Sequence, residues 1–228
     1  MAKSKKEKKE GLQTIGQTVS KFEAFLEKNN KIILAVACVI VVGVVGFMLY
    51  NNFIRKPKIK EAAEIMYKAE EYFAIDSFKL ALQGDGVFPG FEEIIDEYGS
   101  TPSGKLANYY AGVCYMRLGE FETAIDYLKE YSSNDAMAGP MAVCLIGDAN
   151  FELGNKAEAV SYYLKAAKKA NNDMLSPLFL LKAGETCELM EDFTRALSIY
   201  ERIDKEYFGS EQQRNIERYI ERVKAKMN

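Results

Sequence analysis

Side chains able to act as nucleophiles or metal ligands are sparse in this chain, and their spacing assembles no reaction centre. Histidine is absent, which removes both the usual proton shuttle near neutral pH and a common zinc ligand. Four cysteines occur, Cys38, Cys114, Cys144 and Cys187, with no C-x-x-C pair among them. They complete neither a typical zinc set nor a redox pair. Cys114, Cys144 and Cys187 are expected to be buried as small apolar side chains. One pair among them could still close a disulfide, and the sequence does not say which thiols approach. Glu92, Glu93, Asp96 and Glu97 crowd one short segment, a pattern that on a helix is a solvated face rather than a catalytic pair. No glycine-rich phosphate loop, nucleophile elbow or metal signature is present. The expectation is no enzyme activity, no cofactor, no metal and no small-molecule substrate.

The elements around these residues divide by hydropathy and charge. From Ile32 to Tyr50 the chain reads IILAVACVIVVGVVGFMLY, and no ionised residue occurs between Lys31 and Arg55. A helix of this length reaches across a hydrocarbon core of about 30 Å, which needs about 20 residues, and a single helix satisfies its own backbone in lipid. The run ends in Phe47, Met48, Leu49 and Tyr50 without a small-residue cleavage site, so a removable signal is not expected. Cys38 follows Leu34, Ala35, Val36 and Ala37, but most of the apolar run lies after it, which does not suit a lipoprotein signal. Residues 31–54 therefore read as a retained transmembrane helix.

Before the span, residues 1–11 are lysine-rich and should be disordered. Residues 12–30 place Leu12, Ile15, Val19, Phe22 and Leu26 on one face of an amphipathic helix, suited to the membrane surface or to a partner helix. Eight lysines and four glutamates precede the span, while Arg55, Lys56, Lys58 and Lys60 follow it. The short basic N-terminus obeys the positive-inside rule, and long domains translocate largely regardless of charge. This places the N-terminus in the cytoplasm and the C-terminal domain outside it.

Residues 55–228 hold 22 basic and 29 acidic side chains, a net charge of −7, which disfavours nucleic acid as a partner. Helical periodicity interrupted by Gly and Pro runs throughout, giving an all-α class. The domain is also self-similar. Gly112, Gly147 and Gly184 recur at spacings of 35 and 37, as do Ala124, Ala159 and Ala196. Leu128, Tyr163 and Tyr200 follow in the same register, and Pro102, Pro140 and Pro177 stand near the start of each unit, where a missing N–H costs a helix nothing.

These positions resemble the tetratricopeptide repeat, a helix–turn–helix of about 34 residues. The first unit carries the likeness best through Gly112, Tyr115, Leu118, Gly119, Phe121, Ala124 and Leu128. Glu191 departs from the turn glycine in the third unit, and Asn150 from the aromatic of the second. The segment GFEEIIDEY resembles the second helix of a degenerate upstream unit, and Ile216, Tyr219, Ile220 and Val223 line one face of a closing helix. The resemblance implies a right-handed solenoid with repeats at about 59–98, 103–131, 140–167 and 177–206 and a cap at 210–227. It also implies a protein-binding groove lined by first helices. In that register the groove positions are Leu106, Tyr109, Val113, Met116 and Arg117, then Met141, Cys144, Asp148, Phe151 and Glu152, then Leu178, Leu181, Glu185, Glu188 and Leu189. Aromatics and methionines there suit varied apolar segments, and the carboxylates favour basic ones.

The order of tail, amphipathic helix with Phe22 and Phe25 ending at Asn29, Asn30 and Lys31, span, long helix and degenerate repeats is similar to the bacterial YfgM-like family. That resemblance implies an ancillary subunit of the Sec translocon in the inner membrane, with a periplasmic chaperone-like domain. Its implied partners are translocon subunits, periplasmic chaperones and unfolded or envelope client proteins. Two alternatives stay open. DEYGSTPSGKLANYYAGVCYMRLGEFETAI and KEYFGSEQQ also resemble repeats of outer-membrane assembly lipoproteins, implying a structural adaptor for envelope assembly. A cytoplasm-facing regulator would need the opposite topology.

Overall fold

The computed structural model describes residues 30–133 and 135–227. The basic tail and most of the amphipathic helix expected at 12–30 lie outside the described residues. Contacts divide the chain into two compact units, one up to Pro57 and one from Lys58.

The first unit contains α1, Asn30–Tyr50, followed by an i→i+5 hydrogen-bonded turn at Asn51–Arg55. The helix is long and apolar enough to cross a membrane. Its described apolar side chains are unburied, Val39 being 72% and Phe47 66% exposed.

The second unit is all-helical, with no strand among its described residues. It comprises α2 (Lys56–Ala74), α3 (Phe78–Gln83), α4 (Phe91–Tyr98), α5 (Pro102–Leu118), α6 (Phe121–Glu130), α7 (Ala138–Glu152), α8 (Lys156–Ala170), α9 (Ser176–Leu189), α10 (Phe193–Glu206) and α11 (Gln213–Met227). Local chemistry sets several of these boundaries. Thr101 caps α5, its hydroxyl accepting the N–H of Gly104 at 3.0 Å and donating to the Tyr98 carbonyl at 2.7 Å, and Pro102 opens the helix. In the loop after α3, Asp85 accepts the N–H groups of Val87 and Phe88 and the Tyr72 hydroxyl. The Tyr72 bond first, then the two backbone donors, hold its carboxyl down at about 2.

The turns within the pairs α5–α6, α7–α8 and α9–α10 share one geometry. In each, a residue at positive φ follows the first helix: Gly119 at +79°, Gly154 at +81° and Glu191 at +59°. The next N–H reaches back five residues, from Glu120 to Tyr115, Asn155 to Asn150 and Asp192 to Cys187, at 2.8–3.0 Å, which satisfies carbonyls left open at the helix end. Glycine supplies that conformation cheaply at the first two turns. At the third, glutamate takes it against the steric cost of its Cβ.

The paired helices approach through glycine. A methyl group at Gly112 would lie 2.5 Å from Leu128 Cγ, and one at Gly147 would lie 2.7 Å from the Tyr163 ring. Tyr200 fills the same place opposite Gly184. Ala124, Ala159 and Ala196 are fully buried on the facing helices. The core then runs as three clusters. α2 to α5 enclose Met66, Phe91 and Ile94, α5 to α7 enclose Ile125, Leu128 and Ile146, and α7 to α11 enclose Val160, Phe179, Leu180, Ile203 and Val223.

Candidate functional site

The first helices α5, α7 and α9 present the expected groove positions, and the structure distributes these unevenly. Arg117, Glu152 and Leu189 are exposed, while the other groove positions are half-buried except Cys144, which is buried. Leu106 packs against the core of the α2–α5 cluster. Tyr109 and Met116 pack against the α5–α7 cluster, and the Tyr109 ring lies 5.4 Å from Tyr131. Burial, then Tyr131, pushes the Tyr109 hydroxyl pKa up. Met141, Phe151, Leu178 and Leu181 lie against the α7–α11 core. Val113 is half-buried on α5.

Four of these positions meet in one pocket. Asp148 and Phe151 of α7 and Glu185 and Leu189 of α9 line a shallow cavity of about 240 Å³, joined by Tyr163, Lys182 and Thr186. Lys182 Nζ donates to both oxygens of Asp148 at 2.8 Å, and the Tyr163 hydroxyl donates to the same carboxylate at 2.8 Å. Burial works against the charge on Lys182, but Cys144, Asp148 and Glu185 outweigh it and set its pKa above the ordinary lysine value. The Thr186 hydroxyl is spent on the Lys182 carbonyl at 2.8 Å. Glu185 makes no hydrogen bond or ion pair with any described residue. The pocket does not include Leu106, Tyr109, Val113, Met116 or Arg117.

Glu188 lies apart from this pocket and is occupied otherwise. Its side chain is 8% exposed and accepts from the Tyr200 hydroxyl at 2.7 Å, from Arg222 of α11 through two nitrogens, and from Lys226 at 3.5 Å. Burial pushes its pKa up, yet Arg222, Tyr200 and Lys226 together carry it below the ordinary glutamate value. It is a joint between α9, α10 and α11.

The other carboxylate of note is Glu92 on α4, which accepts from the hydroxyls of Tyr115 and Tyr127, whose rings stack 5.3 Å apart. The remaining crowded acids, Glu93, Asp96 and Glu97, are exposed. Cys114, Cys144 and Cys187 are buried and free. Among the described residues no cluster of His, Cys, Asp and Glu could hold a metal ion.

Sequence reasoning missed Lys182, Tyr163 and Thr186 as pocket residues and Arg222 as the partner of Glu188. One signal was present: each cation stands 34 residues after its carboxylate, about one repeat.

A tetratricopeptide-repeat family model matches residues 91–138, from α4 to the start of α7. A TPR repeat-containing protein of Methanocaldococcus jannaschii is 32% identical over 103 residues, covering 45% of this chain and 18% of that protein. The chain thus spans under a fifth of the length of that relative. By its repeated turns and glycine contacts, the second unit is an all-helical solenoid similar to tetratricopeptide repeats, which imply a protein-binding scaffold role.

Proposed function

We propose that the protein is a membrane-tethered scaffold or chaperone for secreted and envelope proteins beside the Sec translocon, with its repeat unit in the periplasm. The observation that carries this reading is the combination, in one chain, of helix α1, uncharged after Lys31, and a repeat face with a partly apolar pocket. Exposure to water of a helix as apolar as α1 is unfavourable, and its transfer into lipid lowers the free energy. Tethering keeps the binding face near emerging chains and raises its effective concentration, so weak contacts suffice. Translocon subunits, periplasmic chaperones and unfolded clients are the partners of this reading. The binding residues are the groove positions from Leu106 to Leu189 named above, apart from the buried Cys144 and the occupied Glu188.

Its test is photo-crosslinking from probes placed at Tyr109 and Phe151 in cells. Adducts to a translocon subunit or to a secretory client support the proposal, and their absence counts against it. In parallel, Tyr109→Ala combined with Phe151→Ala should weaken binding of an unfolded polypeptide while the circular dichroism spectrum stays native.

One observation favours a reversed orientation. Arg55, Lys56, Lys58 and Lys60 follow the apolar helix directly, and such clusters favour the cytoplasmic side. On that reading the repeats scaffold a cytoplasmic complex. Protease added to spheroplasts separates the two: degradation of the repeat unit supports the periplasmic placement, and protection supports the cytoplasmic one.

A further inference from the structure

We infer that the pocket between α7 and α9 takes one cationic side chain, Arg or Lys, of a bound peptide together with an adjoining apolar residue, and that Lys182 already fills half of that site as an internal surrogate. This rests on the protein-binding reading and adds the chemistry of the segment recognised.

Charge is the first argument. Asp148, Glu185 and Lys182 line the pocket, giving a net charge of −1. Lys182 neutralises Asp148 through both carboxylate oxygens, so Glu185, which acts on Lys182 only through space, remains as the carboxylate with no hydrogen bond or ion pair to a described residue. Glu152, one turn beyond Asp148 on α7, is exposed, while Glu185 itself is half-buried. An incoming cation meets a carboxylate that no described residue hydrogen-bonds, whereas an incoming carboxylate meets donors turned elsewhere. The Tyr163 hydroxyl points at Asp148, Thr186 at a backbone carbonyl, and Lys182 at Asp148. An acidic peptide is therefore disfavoured by the same arrangement that favours a basic one.

The walls and the size supply the second argument. Phe151 and Leu189 bound the pocket, with Leu189 58% exposed, and apolar surface at that position gains from contact with an apolar neighbour of the cation. The volume of about 240 Å³ falls below the roughly 300–1,000 Å³ of small-molecule sites, which suits a side chain rather than a whole ligand. Lys182 shows how a cation sits there: its Nζ lies on the Asp148 carboxylate and 5.7 Å from the centre of the Tyr163 ring. At the following interface the chain supplies a cation–carboxylate contact of its own, Arg222 on Glu188.

The experiment uses the full chain in detergent micelles and fluorescence anisotropy with three labelled twelve-residue peptides. They share a leucine-rich sequence and differ at one central position, which is Arg, Gln or Glu. The Arg peptide should bind about three- to fivefold tighter than the Gln peptide, as for a partly exposed ion pair, and the Glu peptide more weakly than both. Glu185→Gln should abolish the preference for Arg, read as the ratio of the Arg-peptide to the Gln-peptide affinity, and an undiminished ratio overturns the inference. Lys182→Met, which uncovers Asp148, should raise affinity for the Arg peptide and leave the Gln peptide unchanged. If Lys182→Met fails to fold by circular dichroism, Glu185→Gln decides alone. Equal binding of the Arg and Gln peptides to the wild-type chain overturns this inference and leaves protein binding standing. No saturable binding of any peptide overturns both.

Discussion

Arg222 of α11 meets Glu188 of α9 from 34 residues away, its Nη2 2.5 Å and its Nε 3.0 Å from the two carboxylate oxygens. Lys182 and Asp148 are separated by the same 34 residues and join α9 to α7. In both cases a carboxylate on one first helix takes a cation from about one repeat further along the chain. α11 thus packs against α10 and reaches α9 through Arg222. Ile216, Ile220 and Val223 close the core and its charged residues Arg214, Glu217, Arg218 and Glu221 face out, as a terminal helix requires.

The Glu188 joint should make stability fall on acidification. Its folded-state pKa is depressed, so its contribution is fully present above the unfolded value of about 4.3 and is lost as pH falls from there through the folded value. Thermal melts between pH 7 and pH 3 should therefore show a steeper loss below about pH 5 for the wild type than for Glu188→Gln. Parallel curves would remove this residue from the acid response. At pH 7, Arg222→Met should cost about 1–2 kcal/mol, because Glu188 keeps Tyr200 and Lys226 as partners.

Gly147 should tolerate no side chain. A methyl group there lies 2.7 Å from a Tyr163 ring held by its hydroxyl on Asp148, so the ring cannot swing aside without breaking that bond. Gly147→Ala is expected to destabilise by about 1–3 kcal/mol. Gly112→Ala should cost less, since the group it meets is the aliphatic Leu128, which lacks a hydrogen bond to lose. Denaturant melts of the two variants provide the comparison, and equal losses would refute the role given to the tyrosine hydroxyl.

What the sequence disclosed follows from which contacts are periodic. Gly112, Gly147 and Gly184 recur because two helices touch backbone to side chain at each crossing, and only glycine leaves room. That constraint repeats with every unit, so the all-helical repeat pattern was legible without coordinates. The apolar run was legible for a simpler reason, being long and uncharged. The pocket was less so. Asp148, Phe151, Glu185 and Leu189 follow from the repeat register, but Lys182 faces them through a side-chain conformation that spacing does not encode. Arg222 and Glu188 were hidden similarly, because α11 reads as a cap by its apolar stripe while its ionic contact lies on another side.

Glu191 is the one turn position of the three where the left-handed conformation is held by a residue with a side chain. Such a conformation costs a non-glycine residue roughly 1–2 kcal/mol, partly returned by the freedom glutamate loses less of in the unfolded chain. Glu191→Gly should therefore stabilise the repeat unit by about 0.5–1 kcal/mol, a rise in Tm of about 1–4 °C for a domain of this size. The hydrogen bond from Asp192 to Cys187, 3.0 Å long, should persist. A fall in Tm would show that Glu191 contributes something its backbone does not reveal.

The buried thiols should be chemically silent in the folded chain. Burial pushes Cys114 and Cys144 up to about 12, and burial also raises Cys187. A thiol with that pKa is ionised in only about one molecule in ten thousand at pH 8, and the thiolate is the reacting form. Cys144 and Cys187 sit in the α7–α11 core and Cys114 in the α2–α5 core, so reagent access also requires opening of the packing. With Cys38 replaced by Ser to confine the signal to these three, iodoacetamide at pH 8 should leave the native chain unmodified over hours. All three cysteines should be alkylated rapidly in denaturant. Mass spectrometry counts the adducts, and early modification of Cys114 alone would mean that the α2–α5 core opens independently of the rest.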